Sequence, residues 1–154
     1  MKAKHVVIAG VAAMCLFCLR IPNVTRAQGK TSAKALRCTF QLNATGNWKG
    51  AAPDAVLKPS TLLLRFDAIN TDEGTAELRN GSVASEITAQ FSGGNLHFIQ
   101  TFRAGGLYVT TVFGKESRPG WLKAVHSRHE YFSVPLEGAT SSPEQYYGEC
   151  EILN

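Results

Sequence analysis

The sequence predicts an all-β protein, a single antiparallel up-and-down barrel of eight strands. Apolar and polar side chains alternate along several successive runs, which is the pattern of strands with one buried face. Short turn sequences rich in glycine and asparagine join these runs, as in antiparallel hairpins. A closed barrel leaves no free strand edge, which favours it here. A two-sheet β-sandwich is the alternative.

Residues 1–27 are predicted to form a signal peptide. Lys2 and Lys4 precede an unbroken apolar run over residues 6–19, and the small residue Ala27 closes a weak cleavage pattern. The run is shorter than the roughly 20 residues of a membrane-spanning helix. We therefore expect a periplasmic or secreted protein with no membrane span after removal of the leader. Its mature part would comprise a flexible arm over residues 28–35 and a barrel domain over residues 36–154.

The basic charge of the chain belongs mostly to this leader. The chain has 16 Lys plus Arg and 12 Asp plus Glu. Residues 1–27 carry four of the basic residues and no acidic one, which leaves the mature part with twelve of each. Nucleic-acid binding depends on clustered positive charge. The balanced charge therefore predicts no nucleic-acid partner.

Two cysteines remain after the leader, one near each end of the mature chain: Cys38 and Cys150. In the oxidising environment of an exported protein such a pair normally forms a disulfide. Two free buried thiols are the alternative. A disulfide would bring the first and last strands side by side.

The strands can be placed along the chain from their alternation. The first covers residues 37–42 and the second residues 62–69, while residues 49–60, with Pro53 and Pro59, are predicted to be a loop with room for one helical turn over 54–58. The apolar faces of these two strands carry Cys38, Phe40 and Leu42, and Leu62, Leu64, Phe66 and Ala68. A last strand covers residues 145–153, with Tyr146, Gly148, Cys150 and Ile152 on one face.

Three hairpins are predicted in the middle of the chain. Asn80-Gly81 is typical of a two-residue type I′ turn, residues 92–95 form a second turn, and residues 104–106 form a third. Cross-strand partners share a face of the sheet. The predicted pairs are Leu78 with Val83, Ala76 with Ser85, Ala89 with Phe98, Phe91 with Leu96, Phe98 with Thr111, Gln100 with Val109, Leu96 with Phe113 and Phe102 with Leu107.

The run over residues 121–131 holds the densest set of reactive side chains. One face carries His126, Arg128 and Glu130 together with Leu122 and Ala124. The other carries Trp121, Lys123, Val125, Ser127, His129 and Tyr131. If the first set points inward, it needs full hydrogen bonding, and its guanidinium could hold a carboxylate or other polar ligand. If the second points inward, the charges are simply solvated.

The same residues are also candidates for catalysis and metal binding. His126 and His129 lie three apart on a strand and so point to opposite faces, and no other motif supplies metal ligands at a recognised spacing. No nucleophile has a base and flanking glycines beside it. We therefore expect no metal, no cofactor and no assigned catalytic residue. Gln100, in the middle of an apolar face, is either a ligand contact or a core amide bonded by Thr111.

A short motif resembles a known superfamily. Thr45, Gly46, Asn47 and Trp48 lie near the first strand and resemble the Gly-x-Trp signature of the calycins, which include lipocalins, avidins and periplasmic metalloprotease inhibitors. Thr71-Asp72 resembles the second lipocalin motif, with Glu73 in place of its tyrosine, and the closing arginine of lipocalins has no counterpart on the last strand. Residues 122–131 and 146–152 also resemble small exported proteins of proteobacteria. The calycin resemblance implies an eight-stranded barrel.

Three functions are open at this point. The first is binding of a small hydrophobic or amphipathic ligand inside the barrel. The second is an interaction with an envelope protein, such as protease inhibition, through the arm or the rim loops at 49–60 and 133–144. The third is an isomerase or hydrolase that uses His126 and Glu130 as acid and base. The expected ligand contacts are Trp48, Phe98, Gln100, Thr111, His126, Arg128 and Glu130. A cavity of several hundred Å³ would favour the first function.

Overall fold

The computed structural model describes residues 33–49, 51–103, 105–130 and 143–153. The predicted signal peptide and residues 28–32 of the predicted arm lie outside the described residues, as do residues 131–142. Eight strands make up the described chain: β1 (Ala35–Lys49), β2 (Ala52–Asn70), β3 (Thr75–Asn80), β4 (Val83–Ser92), β5 (Asn95–Thr101), β6 (Leu107–Arg118), β7 (Trp121–His129) and β8 (Glu144–Leu153). No helix occurs within these described ranges.

All eight strands belong to one closed sheet. Each strand pairs antiparallel with the next along the chain, and β8 pairs antiparallel with β1 to complete the ring. The predicted all-β fold of eight antiparallel strands is therefore confirmed. The single ring excludes a division into two separate sheets. From β1 to β7 the connections between successive strands are short, because each strand only has to reverse onto its neighbour.

The junction between β1 and β8 carries the predicted disulfide. Cys38 and Cys150 are direct cross-strand partners with Cα atoms 3.9 Å apart, and their sulfur atoms are bonded. Both side chains are completely buried. The disulfide thus joins strands that are 112 residues apart in sequence, and it confirms the prediction that the two ends of the domain lie together.

An apolar core fills the end of the ring that contains this disulfide. The rings of Phe66 on β2 and Phe98 on β5 stack across the interior, with centroids 3.9 Å apart. Phe40, Leu36 and Val112 are also fully buried. Near the chain start, Ala33 is buried and the carbonyl of Lys34 accepts a hydrogen bond from Ile69 N. The described end of the predicted arm therefore packs against β2.

Two bulges change which side chains point inward, and the sequence analysis missed both. In β1 the register shifts between Phe40 and Leu42, so Leu42 is exposed and Asn43 is buried. In β2 it shifts between Asp67 and Asn70, so Ala68 is exposed and Ile69 is buried. Because one extra residue reverses the alternation, the predicted inward positions of Leu42 and Ala68 are wrong.

The predicted loop over residues 49–60 is also wrong. β2 begins at Ala52 and pairs with β1 from the Lys49–Ala52 pair onward, so β1 and β2 form a long hairpin. Among the described residues, this outer part of β2 has no second strand beside it, since its pairs with β3 begin only at Arg65. Proline is tolerated in edge strands because a missing N–H can point to solvent. Pro53 and Pro59 therefore do not end the strand.

The central hairpins confirm some predicted pairs and correct others. Ala89 pairs with Phe98 and Phe91 with Leu96, as predicted. The two turn residues between β3 and β4 are Gly81 and Ser82, whereas the sequence predicts Asn80 and Gly81. The pairing therefore differs from the prediction by two residues, and each side chain keeps its predicted face. The observed pairs there are Leu78 with Ser85 and Ala76 with Ile87.

The β5–β6 register differs from the prediction by one residue. The loop extends from Phe102 to Gly106, closed by a 2.9 Å hydrogen bond from Phe102 N to Gly106 O. The observed pairs are Thr101 with Leu107, Gln100 with Tyr108, Phe98 with Thr110, His97 with Thr111 and Leu96 with Val112. A shift of one residue exchanges the two faces of a strand. Tyr108, Thr110 and Val112 therefore face inward, where the sequence analysis placed Leu107, Val109, Thr111 and Phe113.

Gly148 permits the close approach of β8 to the bulge of β1, so Gly148→Ala should destabilise the ring. A Cβ at this position would overlap Thr39 O and the backbone of Phe40. Because backbone must move to relieve this overlap, we expect the free energy of unfolding to fall by at least about 2 kcal/mol in urea titrations. Gly46→Ala in β1 is the matched control, since its nearest atom, Pro143 O, would lie 3.7 Å away. Equal stability of the two variants would contradict this packing.

Candidate functional site

The interior changes from apolar to polar along the axis of the ring. We call the end that holds the β3–β4 turn, the β5–β6 loop and the start of β8 the polar end. Its buried polar residues include Asn43, Thr110, His126, Glu130 and Glu144. Asn43 lies on β1, Thr110 on β6, His126 on β7, Glu130 directly after β7 and Glu144 on β8. Closure of the ring is what brings them together.

β7 directs its reactive face inward, which settles the alternative left open by the sequence. His126 is 3% exposed, Glu130 is 8% exposed and the Arg128 side chain is 20% exposed. His129, on the opposite face, is exposed. The two histidines therefore point in opposite directions, as their spacing predicts. Because the side chains of His126, Arg128 and Glu130 point inward, each needs hydrogen-bond partners inside the ring.

His126 uses both ring nitrogens in hydrogen bonds. Arg128 Nε, which can only donate, lies 3.3 Å from His126 Nε2. The neutral ring therefore carries its proton on Nδ1, which lies 2.8 Å from Thr110 Oγ1 and donates to it. Burial, and after it the charge of Arg128, lowers the pKa of His126 from 6.5 to about 3. The imidazole is thus neutral at physiological pH.

Arg128 lies between two aromatic rings. Its guanidinium carbon is 5.2 Å from the centroid of Tyr108 and 5.1 Å from that of Tyr146, within the range of cation–π attraction. Its Nη1 atom lies 3.9 Å from Glu144 Oε2. The guanidinium is therefore held in place by aromatic faces, a histidine and one carboxylate.

Each of these tyrosines donates a hydrogen bond to a glutamate. Tyr108 bonds Glu130 Oε1, and Tyr146 bonds Glu144 Oε2. Burial, followed by these hydrogen bonds, raises the pKa of both tyrosines to about 12. Both phenols therefore stay protonated and continue to donate. The two pairs lie on either side of Arg128 because β6, β7 and β8 are adjacent.

Asn43 is the least satisfied side chain of the polar end. It is 1% exposed, and its Oδ1 accepts a 2.6 Å hydrogen bond from Thr45 Oγ1. Its Nδ2 atom makes no hydrogen bond of good geometry to a described residue, although Asn43 and the Tyr146 hydroxyl interact. The side chain faces inward only because of the β1 bulge. A buried amide whose N–H groups are incompletely bonded costs stability.

A cavity of about 350 Å³ lies inside the ring at the polar end. Its walls come from six consecutive strands, β2 to β7, and from the first residue of the β5–β6 loop. The lining residues are Leu64, Leu78, Val83, Ser85, Gln100, Phe102, Tyr108, His126 and Arg128. Val83 and Phe102 are exposed, so the cavity opens to solvent between them. Its volume is at the lower end of the range for small-molecule sites.

The structure brings three of the seven expected ligand contacts to this cavity: Gln100, His126 and Arg128. Glu130 lies beside the cavity, bonded to Tyr108. Phe98 is in the apolar core, and Thr111 is on the outer face, where its Oγ1 lies 3.1 Å from His97 Nδ1. Trp48 is exposed on the β1–β2 hairpin. The alternative in which Thr111 bonds the amide of Gln100 is excluded, because the two side chains lie on opposite faces.

Five polar-end residues were not singled out from the sequence: Asn43, Tyr108, Thr110, Glu144 and Tyr146. Tyr146 was assigned to the inward face of the last strand, so extending the same alternation by two residues would have found Glu144. Tyr108 was missed through the one-residue error in register, and Asn43 through the bulge. Neither error leaves a signal in the local alternation.

Two wider depressions lie on the outer surface. One of about 860 Å³ is lined mainly by charged side chains, and its arginines Arg37, Arg65 and Arg79 all form ion pairs with carboxylates. Another of about 480 Å³ includes the exposed residues Leu42, Phe113 and Tyr147. Within the described ranges, no three His, Cys, Asp or Glu side chains are grouped as metal ligands, and no helix could cross a membrane.

The buried neutral state of His126 should appear in the pH dependence of stability. Below pH 6.5 the unfolded chain gains a proton at His126 that the folded protein does not bind until about pH 3. The stabilising contribution is therefore complete above pH 6.5 and is lost as the pH falls towards 3. Between pH 7 and pH 5, the free energy of unfolding should fall by about 2 kcal/mol more in the wild type than in His126→Gln. Equal losses in urea titrations would contradict a neutral buried imidazole.

The chain was compared with protein-family models, with curated proteins and with solved structures. None of the three comparisons found a match. A functional proposal for this chain therefore rests on the geometry of the polar end and its cavity.

Proposed function

We propose that this chain is an exported binding protein of calycin type that holds a small amphipathic molecule in its interior cavity. The observation that carries the proposal is the cavity of about 350 Å³, with apolar walls and a few convergent polar groups. That combination is typical of small-molecule sites. A cavity of this volume also favours a binding barrel over a barrel whose interior is filled by side chains.

The closed ring supports the structural part of this proposal. Eight antiparallel strands in next-neighbour order agree with what the Gly-x-Trp resemblance implies. Rings of this size leave room for one small ligand when their interior is incompletely filled. The Cys38–Cys150 disulfide supports an oxidising compartment, because such bonds seldom persist in the cytosol.

Acid–base catalysis has less support from the same geometry. A catalytic base must reach the proton it removes, but both nitrogens of His126 already have partners. Its pKa of about 3 also makes it a weak base near neutral pH. Glu130 is not among the described residues that line the cavity, so the two groups do not face a common space.

Filling the cavity should abolish binding without unfolding the protein. Ser85 lines the cavity, while the adjacent Ala84 is exposed and points to the outer face. Native mass spectrometry of wild-type protein purified from the envelope of its own host should show a retained small molecule. Ser85→Phe should lose at least about nine tenths of that complex because its ring occupies the cavity.

Ala84→Phe is the matched control and should retain the molecule as well as the wild type does. Circular dichroism melting of both variants would establish that they are folded. Absence of any retained molecule in the wild type, or its retention by Ser85→Phe, would overturn the proposed interior site.

A second candidate function is protein binding through the β1–β2 hairpin. Among the described residues, the hairpin continues as two strands past the last β1–β8 pair, Thr45 with Glu144, and Val56 and Leu57 lie at the base of this extension, opposite Thr45 and Ala44. Val56 is 54% exposed and Leu57 is 67% exposed. Neighbouring residues of a strand point to opposite sides, so both faces of the hairpin present apolar surface. Exposed apolar groups of this kind are typical of interaction sites.

If the hairpin inhibits an envelope protease, Leu57→Ser should weaken inhibition by at least about tenfold through loss of a buried contact. The measurement is casein cleavage by an envelope extract of the same host with increasing amounts of protein. Leu63→Ser is the control, since Leu63 is 62% exposed on β2 but lies below the hairpin. Lack of inhibition by the wild type would exclude protease inhibition as the role of the hairpin.

A further inference from the structure

Given the proposed interior site, we infer that its ligand is uncharged and presents a hydrogen-bond acceptor to Arg128, with a compact apolar body beyond it. This inference depends on the proposed function and specifies the chemical class of the ligand. The inference rests on two features of the site. One is the set of polar groups that reach the cavity, and the other is the set of charged groups behind them.

The polar groups that reach the cavity are mainly donors. Arg128 contributes a guanidinium, whose described polar contacts use Nε and Nη1. A guanidinium has five N–H groups and no acceptor. Gln100 and Ser85 add groups able to donate as well as accept. No carboxylate is among the described residues that line the cavity. A ligand with a carbonyl or hydroxyl oxygen therefore fits this wall.

The charges behind the wall disfavour an anionic ligand. Glu130 and Glu144 are both 8% exposed and bonded to the tyrosines beside Arg128. With His126 neutral, these described groups carry one positive and two negative formal charges. A ligand carboxylate would add a third negative charge to a partly buried cluster, where charge repulsion is stronger than in water. Glu144 thus already supplies a counter-charge to Arg128.

A cationic ligand is disfavoured for the opposite reason. Its charge would meet the guanidinium of Arg128 at the cavity wall before reaching either glutamate, because Arg128 lines the cavity and the glutamates do not. Burying a charge without a direct partner is costly. An uncharged ligand with a hydrogen-bond acceptor satisfies the donors. It avoids both the repulsion between an anion and the glutamates and the repulsion between a cation and Arg128.

The rest of the cavity determines the body of the ligand. Leu64, Leu78, Val83 and Phe102 form its apolar wall. A volume of about 350 Å³ admits a compact or short-chain molecule. The opening lies between Val83 and Phe102, so the apolar body extends from Arg128 towards those two residues.

Three probes with the same alkyl chain test the charge preference: octanamide, octanoate and octylamine, each titrated at pH 7 into ¹⁵N-labelled protein and followed by NMR. Octanamide should bind at least about tenfold more tightly than either charged probe. Its shift changes should include Gln100, Tyr108 and Arg128. Ser85→Phe should remove this binding, which places it in the cavity.

Glu144→Gln tests the electrostatic cause. Glutamine keeps an acceptor for the Tyr146 hydroxyl but removes one negative charge beside Arg128. The affinity for octanoate relative to octanamide should rise by about tenfold. Glu86→Gln makes the same charge change at an exposed position of β4 and should leave this ratio as in the wild type.

The outcomes separate this inference from the proposed function. If octanoate or octylamine binds as tightly as octanamide, and Ser85→Phe blocks that binding, the interior site stands and the inferred ligand class is wrong. An unchanged ratio in Glu144→Gln would likewise reject the role of the glutamates. If no probe binds at any accessible concentration, both the site and its ligand class are contradicted.

Discussion

Closure of the sheet between β1 and β8 is the constraint on which the interior depends. The polar end uses side chains from β1, β6, β7 and β8, and these strands surround one space only while β1 and β8 are paired. The Cys38–Cys150 disulfide lies within that pairing. In the chain-entropy model, a closed loop of this length stabilises the folded state by about 4 to 5 kcal/mol. The disulfide therefore supports the strand junction that closes the ring.

The bulge in β1 couples this junction to the polar end. By adding one residue after Phe40, it turns Asn43 inward and Leu42 outward. Gly148 lies opposite Phe40 and leaves space for the displaced backbone. Below the bulge β1 contributes Leu36, Cys38 and Phe40 to the apolar core, and above it contributes a buried amide. The change from an apolar to a polar interior thus coincides with a change in backbone register.

The sequence was informative where a property is local and less so where it depends on register. Strand order and the pairing of Ala89 with Phe98 followed from alternation and turn residues, and the disulfide followed from the two cysteines of an exported chain. The faces of Thr111, Leu42 and Ala68 did not, because one extra residue in a bulge or loop reverses every later side chain. The inward face of β7 was ambiguous in isolation. It is decided by partners on neighbouring strands, since Glu144 contacts Arg128, Tyr108 bonds Glu130 and Thr110 bonds His126.

The composition of the polar end is difficult to explain by stability alone. Replacing buried charged groups by well-packed apolar residues is often neutral or stabilising, and an apolar filling would also remove the incompletely bonded Nδ2 of Asn43. The ring instead keeps an arginine, two glutamates and two tyrosines around a space that is not filled. Each tyrosine orients one carboxylate, and one of these carboxylates and two aromatic faces orient the guanidinium at the cavity wall. Such a fixed donor reduces the cost of ordering on binding. The loss of packing is therefore consistent with a site shaped for a ligand.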